Sequence, residues 1–172
     1  MSKAIVAWHE AGHAVVARNF GLPVTQAGIW QETMARTNGS TFKVLVGEVR
    51  AAYGALTPHK QRIVSVAGSV AVYCAEMDKE GPPESYSPPR FDEVADRMSE
   101  KDRTLIYDGN MVTDDPGTIS AARWWVWHKS MTQAYALLNL ESGTLWKELQ
   151  PEQRKLMRRN FVTTLSLERK AA

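Results

Sequence analysis

The chain has 172 residues, of which 44% are hydrophobic; this is enough for one sizeable core, so we expect a single domain over residues 1–172. The formal net charge is only +2, which excludes a strong electrostatic signal for nucleic acid or an anionic membrane. The single cysteine, Cys74, excludes an internal disulfide, and no run reaches the ~20 apolar residues of a membrane helix, so we expect a cytoplasmic protein without a membrane segment.

The first predicted helix, residues 3–19, carries the pattern H-E-x-x-H in its middle. His9 and His13 stand four residues apart, so on a helix their imidazoles share one face and can bind one metal ion. Glu10 lies about 100° around the helix from His9, where it reaches a water on the metal rather than the metal itself. The pattern therefore predicts a zinc site in which Glu10 is the general base of a metallohydrolase.

The alternative is an accidental pair of histidines on a helix surface. The apolar flanks of the motif argue against this alternative, because they predict that the histidines and the glutamate are buried together. Buried ionisable groups without partners are costly, and a metal removes that cost. The flanking residues are Ile5, Val6, Ala14, Val15 and Val16.

Two segments resemble a known family. Residues 9–17, which read HEAGHAVVA, resemble the zinc helix of the FtsH-type ATP-dependent metalloproteases, and residues 62–71, RIVSVAGSVA, resemble the second helix of that family. The resemblance covers about residues 5–150 and implies a mainly α-helical α+β domain. It also implies a zincin-like FtsH-type peptidase fold, with a small β-sheet beside the active-site cleft. The chain shows no G-x-x-x-x-G-K-[ST] phosphate loop, so we expect a stand-alone peptidase domain without the ATPase module.

A β-hairpin is predicted after the first helix. Val24 to Ile29 and Thr41 to Val49 are rich in β-branched and aliphatic residues, and the polar stretch between them contains the turn signal Asn38-Gly39. In the family resembled, strands at this place flank the cleft, and an edge strand can bind an extended substrate. An ordinary sheet that covers the core is an equally good interpretation.

The second helix is predicted from Thr57 to about Glu76, with Thr57 as its N-cap and Pro58 in its first turn. Its small residues form a face that allows another helix to approach closely, and we expect that helix to be the zinc helix. These residues are Ala67, Gly68, Ser69 and Ala71.

The resemblance implies that the third zinc ligand is an aspartate near a helix N-terminus after the second helix. Asp102 is favoured, because it follows Ser99 in a pattern that resembles a capping box, and a carboxylate there is held ionised. Asp92 fits the family's separation from His13 more closely, and Asp96 is a third candidate. The alternative for either Asp102 or Asp92 is simple N-terminal helix capping, which needs no metal.

The C-terminal part is predicted to be helical. A long amphipathic helix spans residues 118–140 and carries Trp124, Trp125 and Trp127, of which at least one is expected at a cleft or subunit contact, since three such rings cannot all face one core. Separate helical segments are predicted at residues 145–149 and 151–167. The last one has a basic face formed by Lys155, Arg158 and Arg159.

These patterns predict a zinc-dependent endopeptidase that hydrolyses unstructured polypeptides. Its ligands would be His9, His13 and Asp102, with Glu10 as the catalytic residue. One rival is a non-catalytic zincin-like scaffold that binds a protein or nucleic acid through the tryptophans or the basic helix. The other is a zinc hydrolase that acts on small amides. A homo-oligomer is one possible state. FtsH-type peptidases are hexamers, but their ATPase ring helps them to assemble, so the hexamer cannot be carried over to this chain.

Overall fold

A computed structural model describes residues 2–80, 88–90, 93–94, 97–99, 102, 121–139 and 141–158. Over these residues the chain has an α+β fold that is mainly helical, with one small two-stranded antiparallel sheet. Its elements in order are α1 (Lys3–Asn19), β1 (Val24–Ala35), β2 (Thr41–Ala51), a 3-10 turn (Tyr53–Ala55), α2 (Pro58–Glu80), α3 (Ala121–Leu138) and α4 (Trp146–Arg158).

Helix α1 has the bounds that the sequence predicts, because both of its ends are capped. The Ser2 hydroxyl accepts a hydrogen bond from the backbone N–H of Ile5 at 3.3 Å and caps the first turn. At the other end, Gly21 has a positive φ of 81°, and the N–H of Leu22 donates to the Ala17 carbonyl at 3.0 Å. This is the Schellman arrangement, which glycine adopts without strain.

Helix α1 is the centre of the molecule: α2, α4 and the sheet all pack against it. It approaches α2 closely at Gly12, where an added Cβ would lie 2.7 Å from the Ala71 Cβ and would also meet the Ala67 carbonyl. The prediction that the small-residue face of α2 packs on the zinc helix is therefore confirmed. Cys74, farther along α2, is buried in the same core.

The hairpin is longer than predicted. β1 and β2 pair along their whole length, from Val24 opposite Ala51 to Ala35 opposite Thr41, and the turn at Asn38-Gly39 lies where the sequence predicts it. The prediction of a polar connection from Gln31 to Ser40 was wrong for its first five residues, which are strand. Both faces of this outer half are exposed, so it lacks the alternating apolar pattern that marks a strand.

Helix α3 confirms the long C-terminal helix over its described residues, 121–138. It separates the tryptophans as expected, because Trp127 is fully buried whereas Trp125 is 62% exposed. The side chain of Trp124 lies outside the described residues. A turn at residues 141–145 follows, before α4 begins.

The prediction of two segments separated before Pro151 was wrong, because α4 runs through this proline. Pro151 removes the hydrogen bond to the Lys147 carbonyl, and both residues are exposed, so water can satisfy that carbonyl. Leu149 and Leu156 are fully buried beside α1 and hold the helix in place.

Arg159, part of the predicted basic face, lies outside the described residues. Within the described chain, no helix has the length and apolar character needed to cross a membrane.

Candidate metal centre

Helix α1 brings its two histidines together below the surface. The Nε2 atoms of His9 and His13 lie 3.0 Å apart, and their rings meet edge to face with centroids 4.7 Å apart. Each residue is only 7% exposed. One turn of helix therefore aims two nitrogen atoms at the same buried point.

Asp102 completes this cluster from a distant part of the chain. Its Oδ2 lies 3.2 Å from Nε2 of His9, and its Oδ1 lies 3.5 Å from Nε2 of His13. The carboxylate is as deeply buried as the two histidines. The structure thus places the favoured third ligand at the site, while Asp92 and Asp96 lie outside the described residues.

The distances between the candidate ligand atoms are close to those of a zinc site. The two Nε2 atoms lie 3.0 Å apart, and each lies near a different oxygen of Asp102, at 3.2 Å for His9 and 3.5 Å for His13. Tetrahedral zinc with ligand bonds of about 2.0–2.1 Å places its ligands about 3.3–3.4 Å apart. Among the described residues, these three metal-ligating side chains lie close enough to one another to share one ion. Two imidazoles and one carboxylate are also a donor set of catalytic zinc sites, which leave one position open.

Helix α2 contacts the two histidines in two ways. Nδ1 of His13 lies 2.7 Å from the Val64 carbonyl, and this contact requires Nδ1 to carry the hydrogen and to donate. The lone pair of His13 Nε2 is then directed toward His9 and the Asp102 carboxylate. One turn later, a Cβ built on Gly68 would lie 2.5 Å from Nε2 of His13 and 2.7 Å from Nε2 of His9. Because Gly68 has no side chain, space remains beside both Nε2 atoms, and this space could hold an ion.

Ser99 holds Asp102 in position. The Ser99 hydroxyl donates to Oδ2 of Asp102 at 2.6 Å, and the Ser99 backbone N–H donates to the same oxygen at 3.3 Å. The N–H of Asp102 in turn donates to the Ser99 hydroxyl oxygen at 3.1 Å. These reciprocal bonds are those of a capping box, as the sequence predicts. One carboxylate thus contacts both Ser99 and the histidines, so the capping role of Asp102 is geometrically compatible with a role as metal ligand.

His13 and Asp102 change each other's pKa. Burial lowers the pKa of His13, but the charge and hydrogen bond of Asp102 outweigh this effect and raise the pKa to about 9. Burial also acts to raise the pKa of Asp102, and the two histidines overcome it and hold that pKa well below its ordinary value. Without a metal, His13 and Asp102 therefore form a buried ion pair. A zinc ion would take the place of the shared proton.

Glu10 lies beside the ligands and faces strand β2. A Cβ built on Gly47 would lie 2.6 Å from the carboxyl carbon of Glu10, so glycine at this point of β2 makes room for the carboxyl group. Burial raises the pKa of Glu10, and the charges of His13 and His9 oppose that rise. A carboxylate balanced in this way is suited to accept and release a proton.

The cluster opens into a cavity of about 100 Å³ between α1, β2 and α2. All four predicted site residues line this cavity. The sequence also placed a small β-sheet beside the cleft, and β2 forms one of the cavity walls. The other lining residues are Gly47, Glu48, Val49, Tyr53, Gln61, Val64, Ser65 and Ser99.

Sequence reasoning missed several of these residues as parts of the site. Gly68 was recognised as a helix contact and Ser99 as a cap, but neither pattern reveals that Gly68 lies against the two histidines or that Ser99 holds a carboxylate beside them. Gly47 and Tyr53 carry no sequence signal, because only the folding of β2 against α1 brings them to Glu10. A comparison with models of protein families and with curated protein sequences found no match for this chain.

Proposed function

We propose that this chain is a zinc-dependent endopeptidase with a zincin-like, FtsH-type fold. The observation that carries the proposal is the buried triangle of His9, His13 and Asp102, with Glu10 beside it and a cavity on its open side. This arrangement combines a ligand set with a base and a space for substrate. Hydrolysis needs all three.

Zinc, when bound, supplies Lewis acidity toward water and a carbonyl oxygen. Glu10 accepts a proton from the attacking water as the new C–O bond forms at the scissile carbon. It then donates that proton to the leaving nitrogen as the C–N bond breaks. Ser99 and the Val64 carbonyl keep Asp102 and His13 in their ligating orientations throughout.

Strand β2 is the surface on which we place the substrate. Gly47, Glu48 and Val49 of β2 line the cavity, and in the described part of the chain β2 pairs only with β1. Its second edge can bind an extended polypeptide through backbone hydrogen bonds. Such binding requires an unfolded segment, so the substrate class is unstructured polypeptide.

The first experiment is elemental analysis of the purified protein beside His13→Ala and Asp102→Ala. We expect about one zinc per chain in the wild type, and loss of that zinc in both variants. Casein cleavage should follow zinc content. A wild type that takes up no zinc, even after resupply, would contradict the proposal.

Glu10→Gln separates catalysis from the rival scaffold interpretation. This variant removes the base and keeps the shape of the side chain, so zinc should be retained while cleavage falls by about 100-fold or more. Cleavage of small amides but not of casein peptides would instead support the small-amide hydrolase. Full biological activity in Glu10→Gln would favour a non-catalytic binding protein.

A further inference from the structure

Tyr53 is an additional polar residue at the candidate site. It lies two residues after the end of β2 and begins the 3-10 turn, and its half-buried side chain lines the cavity together with Glu10 and Asp102. Its hydroxyl donates a hydrogen bond of 3.3 Å to the Val49 carbonyl. This distance exceeds the usual range of about 2.5–3.0 Å for an O–H donor, so the bond is weak.

The chemistry proposed above needs a hydrogen-bond donor in this cavity. When water adds to an amide, negative charge develops on the carbonyl oxygen, and enzymes stabilise that charge with donors that are already in place. A donor from the protein would act beside the Lewis acid. The cavity is only about 100 Å³, so a carbonyl group that enters it lies close to every wall.

The serine and glutamine donors in the cavity wall have shorter hydrogen bonds than Tyr53. The Ser99 hydroxyl donates to Asp102 at 2.6 Å, the Gln61 amide donates to the Leu56 carbonyl at 2.9 Å, and the Ser65 hydroxyl donates to the Gln61 carbonyl at 3.0 Å. Tyr53 has the longest of these bonds and loses least by exchanging its partner.

We propose that the Tyr53 hydroxyl leaves the Val49 carbonyl when substrate binds and donates its hydrogen bond to the substrate's carbonyl oxygen in the transition state. The proton stays on Tyr53, so no covalent bond of the tyrosine is broken. Burial first, and then the charges of Glu10 and Asp102, raise the pKa of Tyr53, so the phenol stays a donor at neutral pH. This inference rests on the proposed peptidase function.

The test compares Tyr53→Phe with Tyr73→Phe as a matched control. Tyr73 is a half-buried tyrosine of α2 that packs against Tyr135 and does not line the cavity. Removing a donor to an oxyanion costs about 100- to 1,000-fold in kcat. We expect a loss of about 100-fold in Tyr53→Phe, with KM changed by less than about threefold and zinc content unchanged. Tyr73→Phe should keep the wild-type kcat.

A second measurement does not depend on turnover. A phosphinic peptide carries a tetrahedral, charged group in place of the scissile amide, and its affinity for the zinc-loaded proteins can be measured by calorimetry. Tyr53→Phe should bind it about 100-fold more weakly, since the hydroxyl contacts the charged oxygen. The unmodified product peptides should bind both proteins alike.

The outcomes distinguish this inference from the function on which it rests. Unchanged kcat and phosphinic peptide affinity in zinc-loaded Tyr53→Phe would overturn the role of Tyr53 alone. Loss of zinc from Tyr53→Phe would also overturn it, because the hydroxyl would then serve the metal site. A wild type that holds zinc but neither cleaves peptides nor binds the phosphinic peptide would overturn both proposals.

Discussion

At the scale of single residues, the shape of the candidate site depends on a glycine, which has no side chain. Gly68 leaves the space between α2 and the two histidines, and any Cβ there would lie within 2.7 Å of both Nε2 atoms. The sequence shows Gly68 only as part of a small-residue run. Its position beside the two histidines follows from the packing of α2 against α1.

Gly68→Ala should therefore abolish zinc binding. The added methyl group cannot coexist with both imidazoles in their ligating positions, so we expect less than about one tenth of the wild-type zinc content by elemental analysis, in line with the effect of disturbing a metal-ligand shell. Gly54→Ala is the matched control, because a Cβ at Gly54 meets nothing within 4 Å. Full zinc content in Gly68→Ala would show that the ion is bound elsewhere.

The coupling of His13 and Asp102 gives the zinc-free protein a characteristic pH dependence. The folded pKa of His13, about 9, lies above its ordinary value of 6.5, because Asp102 overcomes the effect of burial. A raised pKa contributes stability that is complete below the unfolded pKa and is lost as the pH rises through the folded one. The contribution of His13 to the free energy of unfolding should therefore decline between pH 6.5 and 9.

Urea unfolding in the presence of a chelator measures this effect. The stability difference between the wild type and Asp102→Asn should shrink as the pH rises from 6.5 to 9, since the variant lacks the charge that raises the His13 pKa. Zinc affinity of the wild type should rise over the same interval, because zinc replaces the proton of His13. A stability difference that grows with pH would contradict the ion pair of His13 and Asp102.

At the scale of elements, the close approach of α1 and α2 sets the geometry of the ligands. Gly12 faces Ala67 and Ala71 across this contact and leaves no space for a methyl group. Both histidines and the Val64 carbonyl depend on the same contact. A change at Gly12 should therefore act on stability and on the metal site together.

Gly12→Ala should reduce the free energy of unfolding by about 1–3 kcal/mol, the usual cost of overpacking a core. The neighbouring atoms belong to backbone and to a small side chain, so relief requires the two helices to separate. Zinc affinity should fall as well. Urea unfolding and zinc titration measure the two effects, with Gly54→Ala as the control, and a stability within 0.5 kcal/mol of the wild type would refute the close contact.

The elements that sequence patterns misjudged have specific physical reasons. The outer half of the hairpin is strand without an apolar face, because backbone pairing between β1 and β2 is enough to extend it. Helix α4 continues through Pro151 because buried leucines on either side of the proline hold it against α1. In both cases contacts outweigh the local signal.

At the scale of the whole molecule, the proposed ion joins distant parts of the chain. His9 and Asp102 are 93 positions apart, and their contact closes the site. Because zinc would bind this assembled site and not the unfolded chain, it should stabilise the fold. Chelation should lower the thermal midpoint by about 5–10 °C if free zinc was initially about 100 times its Kd.

Scanning calorimetry with and without chelator checks this prediction. Zinc added back should restore the midpoint. His13→Ala provides the control, since its midpoint should not respond to the chelator. An equal response in His13→Ala would mean that the metal stabilises another part of the protein.

The sequence by itself determined the local features of this protein. The bounds of α1, the positions of His9, Glu10 and His13 on it, and the cap at Ser99 follow from helical periodicity and side-chain hydrogen bonding, which act over a few residues. Tertiary structure alone decided that Asp102 meets the histidines, that Gly68 leaves space beside both imidazoles, and that Tyr53 lines the cavity. These contacts join residues far apart in sequence, and only the packing of α1 against β2 and α2 brings them together.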